Sequence, residues 1–302
     1  MGVNMDLIKK RLNKLNTQAN ADDIIWKPSK NEATIRIVTL PYSDRGVINA
    51  EDPFIEMYFH YNTIKIDKQF PLSTITFGDE DPIAEFAENL MEEAKKEYPD
   101  GKLPLDEWKI TQNLKPSKRT FIPIIVRGKE KDGIKYWGIG ETVVKTLLEF
   151  YANEEDYGDI SDFETGMDLK VKHVPNKKGG QWPDTNVMVR PKVTRVTDDP
   201  EIMKLITEKS NIPDLFDRFP VRTYDELKHA FEKYIGATEG ENTMEQAKNA
   251  LEKTKDAKNN KNSNSTKKEA PKVEATVTNA EAKTTVTKSK EDLDKEFDAL
   301  LG

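Results

Sequence analysis

Six short runs rich in β-branched and aromatic residues are confined to the stretch between Ile24 and Gly236: ATIRIVTL, PFIEMYFHYNTIKI, RTFIPIIVRG, IKYWGIG, DLKVKHV and TNVMVRPKVTRV. Such runs, bounded by Pro, Gly, Asn or Asp, fit a pleated surface better than a helix, so five or more strands dominate any core this chain builds. The segment KEKDGIK between two of them reads as a hairpin turn with Asp132-Gly133 at its tip. Helical periodicity interrupts the strands in DPIAEFAENLMEEAKKEY, GETVVKTLLEFYA, DPEIMKLITEKS and TYDELKHAFEKYI, the last ending at Gly236. The expected fold is mainly β with inserted helices (α+β), a small barrel carrying insertions.

The flanks differ in kind. Residues 5–18 read as a short basic helix, with Leu7, Ile8, Leu12 and Leu15 at three-to-four spacing among Lys9, Lys10, Arg11 and Lys14. After Gly236 no aromatic residue occurs before Phe297, and Asn, Thr and Lys abound, so burial cannot offset the entropy of ordering this stretch. The segment SKEDLDKEFDALLG then restores Leu293, Phe297, Leu300 and Leu301 among Glu291, Asp292, Asp294, Glu296 and Asp298. Three parts are expected: a basic arm over 1–20, a folded core over 21–236 with an insertion around 70–108, and a flexible linker with an acidic partner-binding tail over 237–302.

Chemistry is sparse. The 302 residues include no cysteine and three histidines, which excludes disulfides and thiolate zinc sites. No run approaches the roughly 18 apolar residues that a membrane span needs, and the first residues lack the apolar centre of a signal peptide, so a soluble intracellular protein is expected. GIGETV lacks the third glycine of a dinucleotide loop, and EEDYGDISDFE lacks the spaced ligands of a calcium loop. Neither supports an enzyme.

The net charge is −7, but it is segregated: residues 149–168 hold eight carboxylates and no basic residue, whereas 103–146 hold nine Lys/Arg against five Asp/Glu, and 169–195 hold seven against Asp184 alone. One face is expected to attract an anion while others keep the protein dispersed. In SKRTFIPIIVR, alternation puts Arg119, Phe121, Pro123, Ile125 and Arg127 on one face and Thr120, Ile122, Ile124 and Val126 on a core face. Lys135 and Trp137 share a face of the next run; Lys170 and Lys172 share one, as do Arg190 and Lys192, with Arg195 beyond and Trp182 in a basic loop. Cations beside aromatics suit single-stranded nucleic acid, whose unpaired bases offer π-faces, and the OB-fold is a scaffold for such binding. The alternative is a non-enzymatic scaffold whose basic sheet face binds an acidic protein.

The order of a basic amphipathic start, a strand-rich core with WKP, ATIRIVTLP, SKRTFIPIIV, KYWGIG and LKVKHV, and a tether ending in acidic DLDKEFDALL resembles the single-stranded DNA-binding, helix-destabilising proteins of T-even-like tailed phages. The resemblance implies an OB-fold core that coats single-stranded DNA cooperatively in replication, recombination and repair, within the cytoplasm of a bacterial host. It further implies self-association through the arm, and an acidic tail (Leu293, Asp294, Phe297, Asp298, Leu300, Leu301) that recruits a polymerase, helicase loader or recombination mediator. It places Lys118, Arg119, Phe121 and Trp137 in the cleft, with Tyr98 and Trp108 near further cleft aromatics; Lys109 and Lys115 are further expected DNA contacts, and Trp26 is expected to pack against the sheet edge.

Two departures stand out. Members of that family hold zinc near the stretch corresponding to STITFGDEDPIAEFA, where Phe77, Ile83 and Phe86 stand here, so the metal is expected to be absent, with no other cofactor, and a small hydrophobic cluster to hold that subdomain instead. The basic arm also lacks the hydroxyl residues that usually follow it, which SKRT at 117–120 does carry, so arm and core are expected to compete for the same acidic or phosphate surface.

Overall fold

The computed structural model of the chain describes residues 24–29, 31–61, 63–100, 104–175 and 183–236. The arm over 1–20, Trp182, and the linker and tail over 237–302 lie outside them. Strands β1 (Ile25–Trp26), β2 (Ala33–Ile37), β3 (Ile55–Phe59), β4 (Ser117–Val126), β5 (Lys135–Ile139), β6 (Met167–Val174) and β7 (Asp184–Val193) form one seven-stranded sheet. Helices α1 (Pro82–Glu97), α2 (Leu105–Leu114), α3 (Glu141–Ala152), α4 (Glu154–Tyr157), α5 (Pro200–Thr207), α6 (Leu215–Arg218) and α7 (Tyr224–Ile235) complete a mixed α+β architecture.

The sheet runs β1-β5-β4-β2-β6-β7, with β3 pairing the first half of β4. Every pairing is antiparallel except that of β1 with β5. The expected barrel is not closed among the described residues. The free side of β3 is taken by the turn before α1, where Ser73 N donates to Tyr58 O at 2.8 Å and Tyr58 N to Thr76 Oγ1 at 2.9 Å. The outer half of β7 carries Pro191, which has no N–H to offer a further strand.

Strand β4 is central and buried on both faces. Phe121 and Ile125 enter one core cluster with Phe59, Tyr136 and Phe219, while Ile122 and Ile124 enter a second with Ile35, Trp137, Leu169 and Val171 beneath Val143 and Leu147 of α3. Its continuous apolar run is the pattern of a strand with no wet face. The DG segment lies in a longer connection, a 3-10 turn over Glu130–Asp132 followed by Gly133 at φ 70°.

The insertion is a helical subdomain. Ile83, Phe86, Ala87 and Leu90 of α1 meet Ile110 and Leu114 of α2 and Phe231 and Ile235 of α7, with Ile64, in a third apolar cluster. The sequence pattern had marked α1 and α7 but not α2. Phe77 departs from that cluster: its ring packs on Phe216 at 5.7 Å in the first core. Asp81 caps α1, accepting from Ile83 N at 2.9 Å and Ala84 N at 3.0 Å ahead of Pro82. Its carboxylate also accepts from Ser73 Oγ at 2.6 Å and stands 3.0 Å from Nε2 of the fully buried His60, whose Nδ1 lies 3.0 Å from the Leu114 carbonyl. Both ring nitrogens thus face oxygen atoms of other residues. This buried pair ties the end of β3 to the start of α1 and the end of α2. Among the described residues, no group of three or more His, Cys, Asp or Glu is placed to hold a metal ion.

Candidate nucleic-acid interface

Three residues expected on a binding face belong to the interior. Phe121 is 0% exposed, with ring centroids 6.2 Å from Phe59 and 5.2 Å from Phe219, so it cannot stack on a base. Trp137, 2% exposed, packs edge-on against Trp26 at 5.4 Å in the second core. Trp26 therefore does pack at the sheet edge, on β1. Arg119 is buried and donates from Nη2 to the Gly138 carbonyl at 2.8 Å. Gly138 accommodates this, since a Cβ there would lie 3.0 Å from the Phe121 ring and 3.3 Å from Arg119 Nε.

Arg127 is a strut. Its Nε donates to Asp168 Oδ1 at 2.9 Å, Nη2 to the Arg195 carbonyl at 2.9 Å and Nη1 to the Val196 carbonyl. Asp168 also receives Nε of fully buried Arg36 at 3.1 Å, while Arg36 Nη2 reaches the Gly166 carbonyl at 3.0 Å and Thr194 Oγ1 at 2.6 Å. The two guanidiniums clamp the base of the β6–β7 hairpin to β2 and β4. Gly166 is required there, because a Cβ would come within 2.4 Å of the Asp162 carbonyl.

Beyond this clamp the hairpin has one core face and one open face. Leu169, Val171, Val187 and Val189 point into the second cluster. On the opposite side Thr34, Lys170 and Met188 stand in register across three strands, followed by Lys172 opposite Asn186. Met188 is 42% exposed there. A groove of about 780 Å³ opens beside them, lined by Trp26, Lys27, Arg127, Lys129 and Arg190 against one carboxylate, Glu32. Lys170 Nζ sits 2.8 Å from Glu32 Oε1. Glu32 is held below the usual carboxylate range by that hydrogen bond first, and then by the charges of Lys170, Lys172 and Arg190. Cations of β6 and β7 therefore converge on one carboxylate, and Lys27 after β1 and Lys129 after β4 line the same groove. The field they make can hold a polyanion against a partly apolar wall.

The other candidates are dispersed. Lys109 and Lys115 lie on and just after α2, and Lys118 opens β4; extended chain from Lys118 to Arg127 spans about 30 Å, so these cannot join the groove as one compact cluster. Lys118 is paired with Glu56 at 2.8 Å, and that hydrogen bond holds its ammonium above the ordinary lysine value. Trp108 is 45% exposed and Tyr98 half-buried, both on the helical subdomain. Lys135 is half-buried on β5 and Lys192 exposed on β7, while Arg195 is held by Glu164 at 2.5 Å and Asp198 at 3.0 Å.

Sequence reasoning missed Lys27, Lys129 and Glu32. All three sit in connections at strand ends, where face alternation carries no signal, and only the fold brings them together with Arg190 in the groove. No helix among the described residues is long and apolar enough to cross a membrane. No protein-family model matches the chain, and no curated protein matches it.

Proposed function

We propose that this protein binds single-stranded DNA non-enzymatically and with little sequence preference, seating the strand in the groove around Glu32. The observation that carries the reading is the convergence of Lys170, Lys172 and Arg190 on Glu32 at the rim of a 780 Å³ groove, with Met188 exposed beside Lys170. Cations supply the attraction to phosphate, and an apolar floor favours a base that is not hidden in a duplex. The pairing of β4 with β3 along its first half and with β2 at its end is what supports an OB-type relationship for the sheet. The phage-type role belongs to the same proposal: cooperative coating of DNA through the arm in replication, recombination and repair, and recruitment of replication proteins through the acidic tail, in a host cytoplasm.

The test is a titration with poly-dT, with duplex DNA and with an acidic peptide such as poly-Glu at several salt concentrations. The reading expects tight, steeply salt-dependent binding to poly-dT and weaker binding to the other two. Preference for the peptide would instead establish a protein-binding scaffold, and cleavage of DNA with magnesium would establish an enzyme.

A further inference from the structure

Two carboxylates hold cations around the β6–β7 hairpin, and they differ in how firmly they are held. Asp168, with 10% of its side chain exposed, is locked between Arg36 and Arg127 and belongs to the frame. Glu32 stands just ahead of β2, where Ala33 pairs with Val171 and Thr34 with Lys170, and it lines the groove with Lys129 and Arg190. Its Oε1 holds Lys170 Nζ at 2.8 Å, yet 38% of each side chain stays open to solvent. The hydrogen bond from Lys170 and the charges of Lys170, Lys172 and Arg190 keep this carboxyl ionised.

A carboxylate oxygen on a lysine ammonium takes the place that a phosphate oxygen would take, since both accept the same charge-assisted hydrogen bond. An exposed ion pair is worth only about two- to fivefold in an equilibrium constant, so it yields to a competing anion without disturbing the fold. Resting on the DNA reading above, we propose that Glu32 is a displaceable gate: it holds Lys170 in the free protein, and a strand reaches Lys170 only by expelling the carboxylate. Lys170 and Lys172 share a face of β6 about 7 Å apart, so a strand that reaches one comes within reach of the other. An isolated anion merely exchanges one partner of Lys170 for another, whereas a strand also meets Lys172 and Arg190. Glu32 thus sets how tightly the groove holds DNA and favours polyanions over single ions.

The test measures poly-dT affinity across salt concentrations for the unaltered full-length protein, Glu32→Gln, Lys170→Ala and the double variant. Glutamine keeps the size of the side chain and removes its charge. Glu32→Gln should raise affinity about two- to fivefold at low salt, with the gain shrinking as salt screens it, and should leave the urea midpoint nearly unchanged. Lys170→Ala should cost about two- to fivefold more affinity in the Glu32→Gln background than in the unaltered protein, because only with Glu32 present must binding break the pair. Diffuse repulsion between Glu32 and DNA would instead make the cost of Lys170→Ala the same in both backgrounds. Equal costs, or no gain in Glu32→Gln, would overturn the gate, while steep salt-dependent binding by the unaltered protein would keep the DNA reading. No poly-dT binding by any of the four proteins would overturn both.

Discussion

Arg127 Nε donates to Asp168 Oδ1 at 2.9 Å, onto the same oxygen that accepts from Arg36 Nε at 3.1 Å. One carboxylate therefore bridges two guanidiniums, one of them fully buried, at the junction of β2, β4 and the β6–β7 hairpin. Removing it leaves charge without a partner in the interior. Asp168→Ala should cost about 3–5 kcal/mol in a urea titration, the range found when one partner of a buried pair is deleted. A loss below about 1 kcal/mol would show that the clamp is not a stability element.

The His60–Asp81 pair sets a pH dependence. Burial alone would raise the Asp81 carboxyl, but the hydrogen bonds and charge of His60, with those of Ser73 and Ala84 N, hold it well below the usual carboxylate range. A depressed folded-state value contributes stability that is present above the unfolded value of about 3.9 and is lost as pH falls through the folded value. Urea midpoints should therefore decline as the pH is lowered below about 4, and Asp81→Asn should be less stable at neutral pH with a flatter acid limb. An unchanged acid limb in Asp81→Asn would place the acid-sensitive carboxylates elsewhere.

Phe121 and Trp137 should behave as core residues. Phe121→Ala and Trp137→Ala are each expected to cost about 3–5 kcal/mol through lost burial and the cavity left behind. Lys118→Ala, which breaks an exposed pair with Glu56, should cost under about 1 kcal/mol. Denaturant titration separates the classes, and the core variants, assayed at a temperature where they remain folded, should keep their salt slope for DNA.

Most strands and helices were legible because their apolar periodicity is local: Ala33–Ile37, Met167–Val174 and Pro82–Glu97 emerge where the patterns predict. The face assignment of β4 was not legible. RTFIPIIV satisfies an alternating reading and a doubly buried one equally well, and only the α3 layer on one side and Phe59 and Phe219 on the other decide between them. Arg119 and Arg127 looked like phosphate ligands for the same reason, since a sequence cannot show that a carbonyl or carboxylate waits opposite a guanidinium. The faces of Lys170, Lys172 and Arg190 were legible because β6 and β7 alternate around them, with Leu169, Val171, Val187 and Val189 inward. Lys27 and Lys129, which line the groove with Arg190, are brought there by pairings distant in sequence. The apolar cluster holding the helical subdomain was foreseen through Ile83 and Phe86, whereas the contribution of α2 and the buried His60–Asp81 pair had no local signature.

The most direct test of the binding groove is the slope of log affinity for poly-dT against log salt in the full-length protein and in the Lys172→Ala, Arg190→Ala double variant. Each cation that meets a phosphate releases about 0.7 of a counterion from a single strand, so the double variant should lower the slope by up to about 1.4 while its urea midpoint stays unchanged. An identical slope and undiminished affinity in the double variant would contradict the assignment of the groove around Glu32 as the seat of the DNA strand.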